Sequence, residues 1–137
     1  MADRIKLHER EVHRQEKMAR RMKDRLRGIT INQLLDETHL ATWDARTDFI
    51  HPDFLKVVRA ELLTLLENLK FTNKKQPKAQ VRKILKTFVE WLNVQDEKYD
   101  HPIETMEREE LYELLEEVCH AAQHKSLMDE IDNWREW

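Results

Sequence analysis

The sequence holds a single glycine, Gly28, among 137 residues, and only three prolines. Hairpins and sheets need backbone positions with positive φ, which glycine fills most readily, so this scarcity argues against a β-rich fold and for long helices joined by few connections. One cysteine, Cys119, leaves no intramolecular disulfide to form. It falls in an apolar helical stripe among acidic neighbours, a setting that keeps a thiol protonated, so it reads as a small buried hydrophobe. No apolar run reaches the length of about 18 residues that a membrane-crossing helix needs, and the chain opens on charged residues, Asp3 and Arg4. The expected setting is therefore the cytoplasm, with the nucleus not excluded. One glycine also leaves no glycine-rich phosphate loop and no Gly-x-Ser-x-Gly elbow. The chain reads as a non-enzyme without a cofactor.

What is present in quantity is charge. Charged residues make up 37% and hydrophobic ones 40%, a balance that suits a helical core under a heavily solvated surface. The net charge of −3 is unevenly spread. Residues 1–27 hold ten Lys/Arg against five Asp/Glu, whereas residues 100–137 hold three against twelve. Unlike charge at the two ends suggests contact between them, within one chain or between chains.

The spacing predicts a first helix from about Asp3 to Arg27, with Gly28 as a left-handed stop. Ile5, Val12, Ala19 and Leu26 recur every seven residues, but His8 and Gln15 dilute the companion seam, so a strong autonomous coiled coil is not expected. On the other face, Arg10, Arg14, Lys17, Arg21 and Arg25 advance by three or four, giving one cationic stripe. This is a basic amphipathic helix, and its stripe is the candidate partner-binding surface.

Thr30-Ile31-Asn32-Gln33 fits a capping box opening a short helix to about Leu40, and Thr42 to His51 reads as irregular. Pro52, Pro77 and Pro102 are evenly spaced, each expected in the first turn of a helix, where a missing N–H costs nothing. After Pro52 come Leu55, Val58, Leu62, Leu65, Leu66 and Leu69, the most apolar face; after Pro77, Val81, Ile84, Leu85, Phe88, Val89 and Leu92. After Pro102 come Leu111, Leu114, Leu115 and Val118 amid glutamates, and Ser126 looks like the cap of a last short helix carrying Ile131 and Trp134. The expected fold is all-α: an up-and-down bundle of about five helices, residues 29–137, preceded by the basic N-terminal helix as an arm, residues 1–28.

One metal-ligand pattern occurs. Glu113, Glu117, His120 and His124 share a helical face if the helix continues that far, and Glu117-Val118-Cys119-His120 has the Glu-x-x-His form of carboxylate-bridged di-iron bundles. Those sites need two further inward carboxylates and a second such element, and this sequence has no second copy of it. A solvated face with helical ion pairs accounts for the pattern more simply.

The functional expectation is a non-catalytic helical protein–protein interaction module, self-associating through the basic helix and the acidic C-terminal region. The alternative readings are a small nucleic-acid-associated factor using the same helix, with Lys74, Lys75, Lys78, Arg82 and Lys83 as a second patch, and a metal-binding bundle.

Overall fold

A computed structural model describes residues 23–46, 48–70 and 75–137. Of the expected first helix, residues 23–27 are described and are helical. Four α-helices follow: α1 (Ile31–Asp36), α2 (Pro52–Leu69), α3 (Lys78–Lys98) and α4 (Thr105–Ala121). Two 3-10 helices complete the set, Ala41–Ala45 and Lys125–Asn133. The all-α expectation therefore holds, but six helical elements follow residues 23–27 where about five helices are expected, and the Ala41–Ala45 turn falls in the stretch that reads as irregular. No strand occurs among the described residues.

The boundaries follow from local chemistry. Thr30 caps α1 by accepting the Gln33 N–H at 3.1 Å, but the helix ends at Asp36 and not near Leu40. His51 caps α2 through Nδ1, which accepts the Asp53 N–H at 3.1 Å, and Pro52 occupies the first turn as expected. Pro77 and Pro102 sit elsewhere. Pro77 is the N-cap of α3, and Pro102 lies ahead of α4, whose N-cap is Glu104. The last helix starts at Lys125 without a side-chain cap, so Ser126 does not play that part. A 3-10 turn eclipses side chains three apart and still buries Leu127 and Ile131.

The core is one continuous cluster. α2 buries Phe54, Leu55, Val58, Leu62, Leu65, Leu66 and Leu69, while α3 buries Val81, Leu85, Phe88, Val89 and Leu92. α4 adds Leu111, Leu114, Leu115 and Val118, and α1 adds Leu34. Each such side chain contributes about 1.5–3 kcal/mol of burial before chain entropy is subtracted. α2 packs on α3 and α1, α1 also touches α4, and the terminal 3-10 helix closes the ring between α4 and α3. Trp137 is buried too. The tail is held by Asn93, which donates to the Trp134 carbonyl and accepts the Glu136 N–H, both at 2.8 Å.

The shortage of glycine is met by an unusual substitute. Gly28 does not adopt a left-handed conformation, whereas Leu40, Asp100, His101 and Gln123 do. Both long C-terminal helix ends are Schellman turns built without glycine. At the end of α3 the His101 N–H reaches the Asp96 carbonyl at 2.7 Å and the Asp100 N–H reaches Glu97 at 3.2 Å. At the end of α4 the His124 N–H reaches Cys119 and the Gln123 N–H reaches His120, each at 3.0 Å. A left-handed residue with a side chain costs roughly 1–2 kcal/mol, so two in succession at Asp100 and His101 need support. Asp96 supplies it. Its buried carboxylate accepts His101 Nδ1 and the Ile103 N–H, both at 2.9 Å, tying the turn to the start of the next segment.

That bond makes the turn pH-sensitive. Hydrogen bonding to Asp96, aided by its charge, raises the His101 pKa above its ordinary 6.5. The stabilisation is complete below 6.5 and fades as pH rises through the folded-state value. Urea midpoints measured from pH 6.5 upward will fall for the wild type, and His101→Asn, which keeps a residue tolerant of left-handed geometry, will flatten that decline.

Candidate functional site: the acidic face of α4

Glu110, Glu113 and Glu117 follow one another by three or four residues and share a face of α4, with the buried Glu107 at its edge, while Leu111, Leu115 and Val118 turn to the core. Like charges at this spacing repel, and the surrounding chain supplies cations at both ends of the row.

At the N-terminal end stands Arg46, which ion-pairs with Glu110 and lies 3.7 Å from the buried Glu107. Glu110 also accepts the Trp43 indole N–H at 2.6 Å and the Thr42 hydroxyl at 2.9 Å. Trp43 is fully buried and stacks on Phe54, with ring centroids 6.0 Å apart. One carboxylate thus joins two residues of the 3-10 helix, and the Arg46 that follows it, to α4. Burial pushes the Glu110 pKa up, but the bonds from Arg46, Thr42 and Trp43 outweigh it, and the group lies below the usual carboxylate value.

The segment that carries Trp43 is itself held by Arg59 of α2. Its guanidinium donates to the His39 and Leu40 carbonyls at 3.1 and 3.2 Å and to Asp44 at 2.8 and 3.1 Å. Leu40, left-handed, is thereby fixed at the bend that delivers Thr42 and Trp43 to Glu110.

At the C-terminal end stands Arg25. Its Nε lies 2.8 Å from Glu117 Oε1, Nη2 lies 3.3 Å from Glu117 Oε2, and Nη2 lies 2.7 Å from Glu37. The guanidinium therefore joins the end of the basic segment to α4 and to the end of α1. Its hydrogen bonds to Glu37 and Glu117 raise its pKa, and the Arg25 bond holds Glu37 below the ordinary value. Between the two arginines lies a groove of about 290 Å³ lined by Glu37, Thr42, Glu110, Glu113 and Glu117. Glu113 is exposed there, and desolvation together with the charges of Glu110, Glu117, Glu109 and Glu116 raises its pKa.

Of the expected cationic stripe, Arg25 is thus placed against acid. Arg10, Arg14, Lys17 and Arg21 lie outside the described residues. The four residues of the metal-ligand pattern, Glu113, Glu117, His120 and His124, are not brought together as a site. α4 ends at Ala121, and the left-handed Gln123 swings the chain away, so His124 is not on the helix; its Nε2 donates to the Gln76 carbonyl at 2.6 Å. Glu117 is engaged by Arg25. Among the described residues no group of three or more His, Cys, Asp or Glu is placed to hold a metal ion. Of the second basic patch, Arg82 is turned to Glu130 at 2.8 Å. Cys119 is buried, and burial pushes its thiol up to about 12. No helix among these residues is long and apolar enough to cross a membrane.

Arg46, Trp43 and Glu110 had no pattern in the sequence to announce them as a unit. A lone tryptophan in a short polar stretch was the available signal, because buried indoles usually find an acceptor. Compared with protein-family models, with curated proteins and with solved structures, the chain matches none.

The two neighbouring glutamates should respond oppositely to neutralisation. Glu110, with its folded pKa lowered, contributes stability above 4.5 that is lost as pH falls through the folded value. Glu110→Gln will therefore cost about 1–3 kcal/mol at neutral pH and flatten the acid limb of a stability profile. Glu113, with its folded pKa raised, favours the fold below 4.5 and loses that contribution as pH rises. Glu113→Gln will raise the urea midpoint at neutral pH.

Proposed function

We propose that this chain is a non-catalytic helical protein–protein interaction module, in which the long basic N-terminal helix engages acidic protein surface and the acidic C-terminal region of a second copy is its target. The observation that carries the reading is Arg25. The described member of the stripe meets Glu117 with two guanidinium nitrogens and Glu37 with one of them. Bidentate contact of this kind is stronger and more directional than a simple surface ion pair. The acidic face of α4 is thus chemically suited to the arginines that precede Arg25, and the charge surplus of residues 1–27 matches the deficit of residues 100–137. Within one chain the contact links the basic helix to the bundle; exchanged between two chains it links copies.

A cytoplasmic or nuclear setting belongs to this reading, and the lone buried thiol of Cys119 supports it. Nucleic-acid binding through the same helix is the weaker alternative, because Arg82 of the second basic patch is already paired with Glu130.

Sedimentation velocity of the full chain at low and high salt tests the proposal. Association that strengthens with concentration, weakens with salt, and is lost when Arg10, Arg14 and Arg21 are changed to Glu is the expected result. A monomer at every concentration, indifferent to salt, overturns the self-association.

A further inference from the structure

Four carboxylates line the groove beside Arg25, and the described cations cover them unevenly. Glu37 and Glu117 share Arg25, while Glu110 holds Arg46 together with the Trp43 and Thr42 donors. Glu113 is the fourth. It is exposed, and the charges of Glu109, Glu110, Glu116 and Glu117 act on it with no cation to offset them among the described residues. His39, the other titratable group on the groove wall, donates through Nε2 to the Leu34 carbonyl at 2.7 Å.

Beside this uncompensated carboxylate the groove is aliphatic, with Leu114 buried and Leu40 half-buried in its lining. That combination suits an arginine. Its methylene stem can lie along the leucines while the planar guanidinium meets the carboxylate. Arg25 shows the same pairing one turn further along α4, where two of its nitrogens reach the two oxygens of Glu117 at 2.8 and 3.3 Å. The stripe that ends in Arg25 carries further cations of the same kind, Arg10, Arg14 and Arg21.

We infer that Glu113 is the docking carboxylate of the self-association: an arginine of a second copy's basic N-terminal helix lies in this groove with its guanidinium on Glu113. The inference rests on the proposed function and names the residue through which it acts. An arginine of the same chain would compensate Glu113 at every dilution, whereas one from a second copy leaves the dilute chain with the repulsion described above. The raised pKa of Glu113 in the single chain favours the second copy. Glu113 therefore has opposite effects in one molecule and in two. It weakens the fold by repelling its neighbours, and it strengthens association by offering a carboxylate that nothing else holds.

Sedimentation equilibrium and urea denaturation of the full chain at low ionic strength test this with wild type, Glu113→Gln and Glu109→Gln. Glu109 is exposed on the same helix but lies off the groove, so its variant loses the same charge at the wrong place. Glu113→Gln is expected to associate about fivefold or more weakly than wild type, while its urea midpoint, read where the chain is monomeric, rises. Lost association in a variant that is more stable is not a folding defect. Glu109→Gln is expected to associate like wild type. Unchanged association in Glu113→Gln, or equal losses in both variants, overturns the role of Glu113; the proposed function then still stands if reversing Arg10, Arg14 and Arg21 abolishes association. A lowered midpoint in Glu113→Gln also overturns it, because the arginine then comes from the same chain. A wild type monomeric at every concentration removes the proposed self-association and this docking residue with it.

Discussion

An arginine laid against a row of glutamates is the contact on which this architecture turns. α4 presents Leu111, Leu115 and Val118 to the core, but on another face it carries Glu110, Glu113 and Glu117, with Glu107, Glu109 and Glu116 beside them. A helix so charged opposes its own formation, since like charges three and four residues apart each cost a few tenths of a kcal/mol. Arg46 and Arg25 answer that repulsion from opposite ends. Both come from the N-terminal third of the sequence, so α4 is completed by residues far from it in the chain. The same contacts decide where the N-terminal third goes. Trp43 reaches the core because its indole N–H has Glu110 to meet, and the basic segment is anchored because Arg25 has Glu37 and Glu117.

A second constraint runs through three of the described connections. With one glycine, the chain turns these corners on residues that carry side chains, and among the described residues Leu40, Asp100, His101 and Gln123 are left-handed. Each corner with a strained residue has a polar group nearby that holds it. Arg59 grips the carbonyl of Leu40, Asp96 receives His101 and Ile103, and the Schellman bonds at Cys119 and His120 hold Gln123. The turns are therefore specified by hydrogen bonds and not by backbone freedom. They are correspondingly sensitive to side-chain chemistry, as the protonation of His101 illustrates.

The helices were legible because their signals are local and periodic. The apolar faces of α2 and α3 follow the expected positions almost throughout, and Thr30 and Pro52 mark starts by mechanisms that need only neighbouring residues. What was not legible depended on partners distant in sequence. The spacing of Glu113, Glu117, His120 and His124 implied one continuous face, but the helix stops at Ala121 and puts His124 beyond a left-handed turn. Gly28 does follow the end of helical residues 23–27 but is not left-handed; the left-handed positions include Asp100, His101 and Gln123, where Asp96 and the helix-end carbonyls secure them. The Arg46–Glu110–Trp43 cluster joins residues more than sixty positions apart, and no spacing rule reaches that distance. The charge segregation was visible from the start. Which arginine meets which glutamate required the fold.

The central claim is that arginines of the N-terminal third and the acidic face of α4 act as coupled pairs and not as independent surface charges. A double-mutant cycle on Arg46→Ala and Glu110→Ala, read by urea denaturation, tests it most directly. Coupling predicts that the double variant loses clearly less stability than the sum of the two single losses. Strictly additive losses would contradict the account.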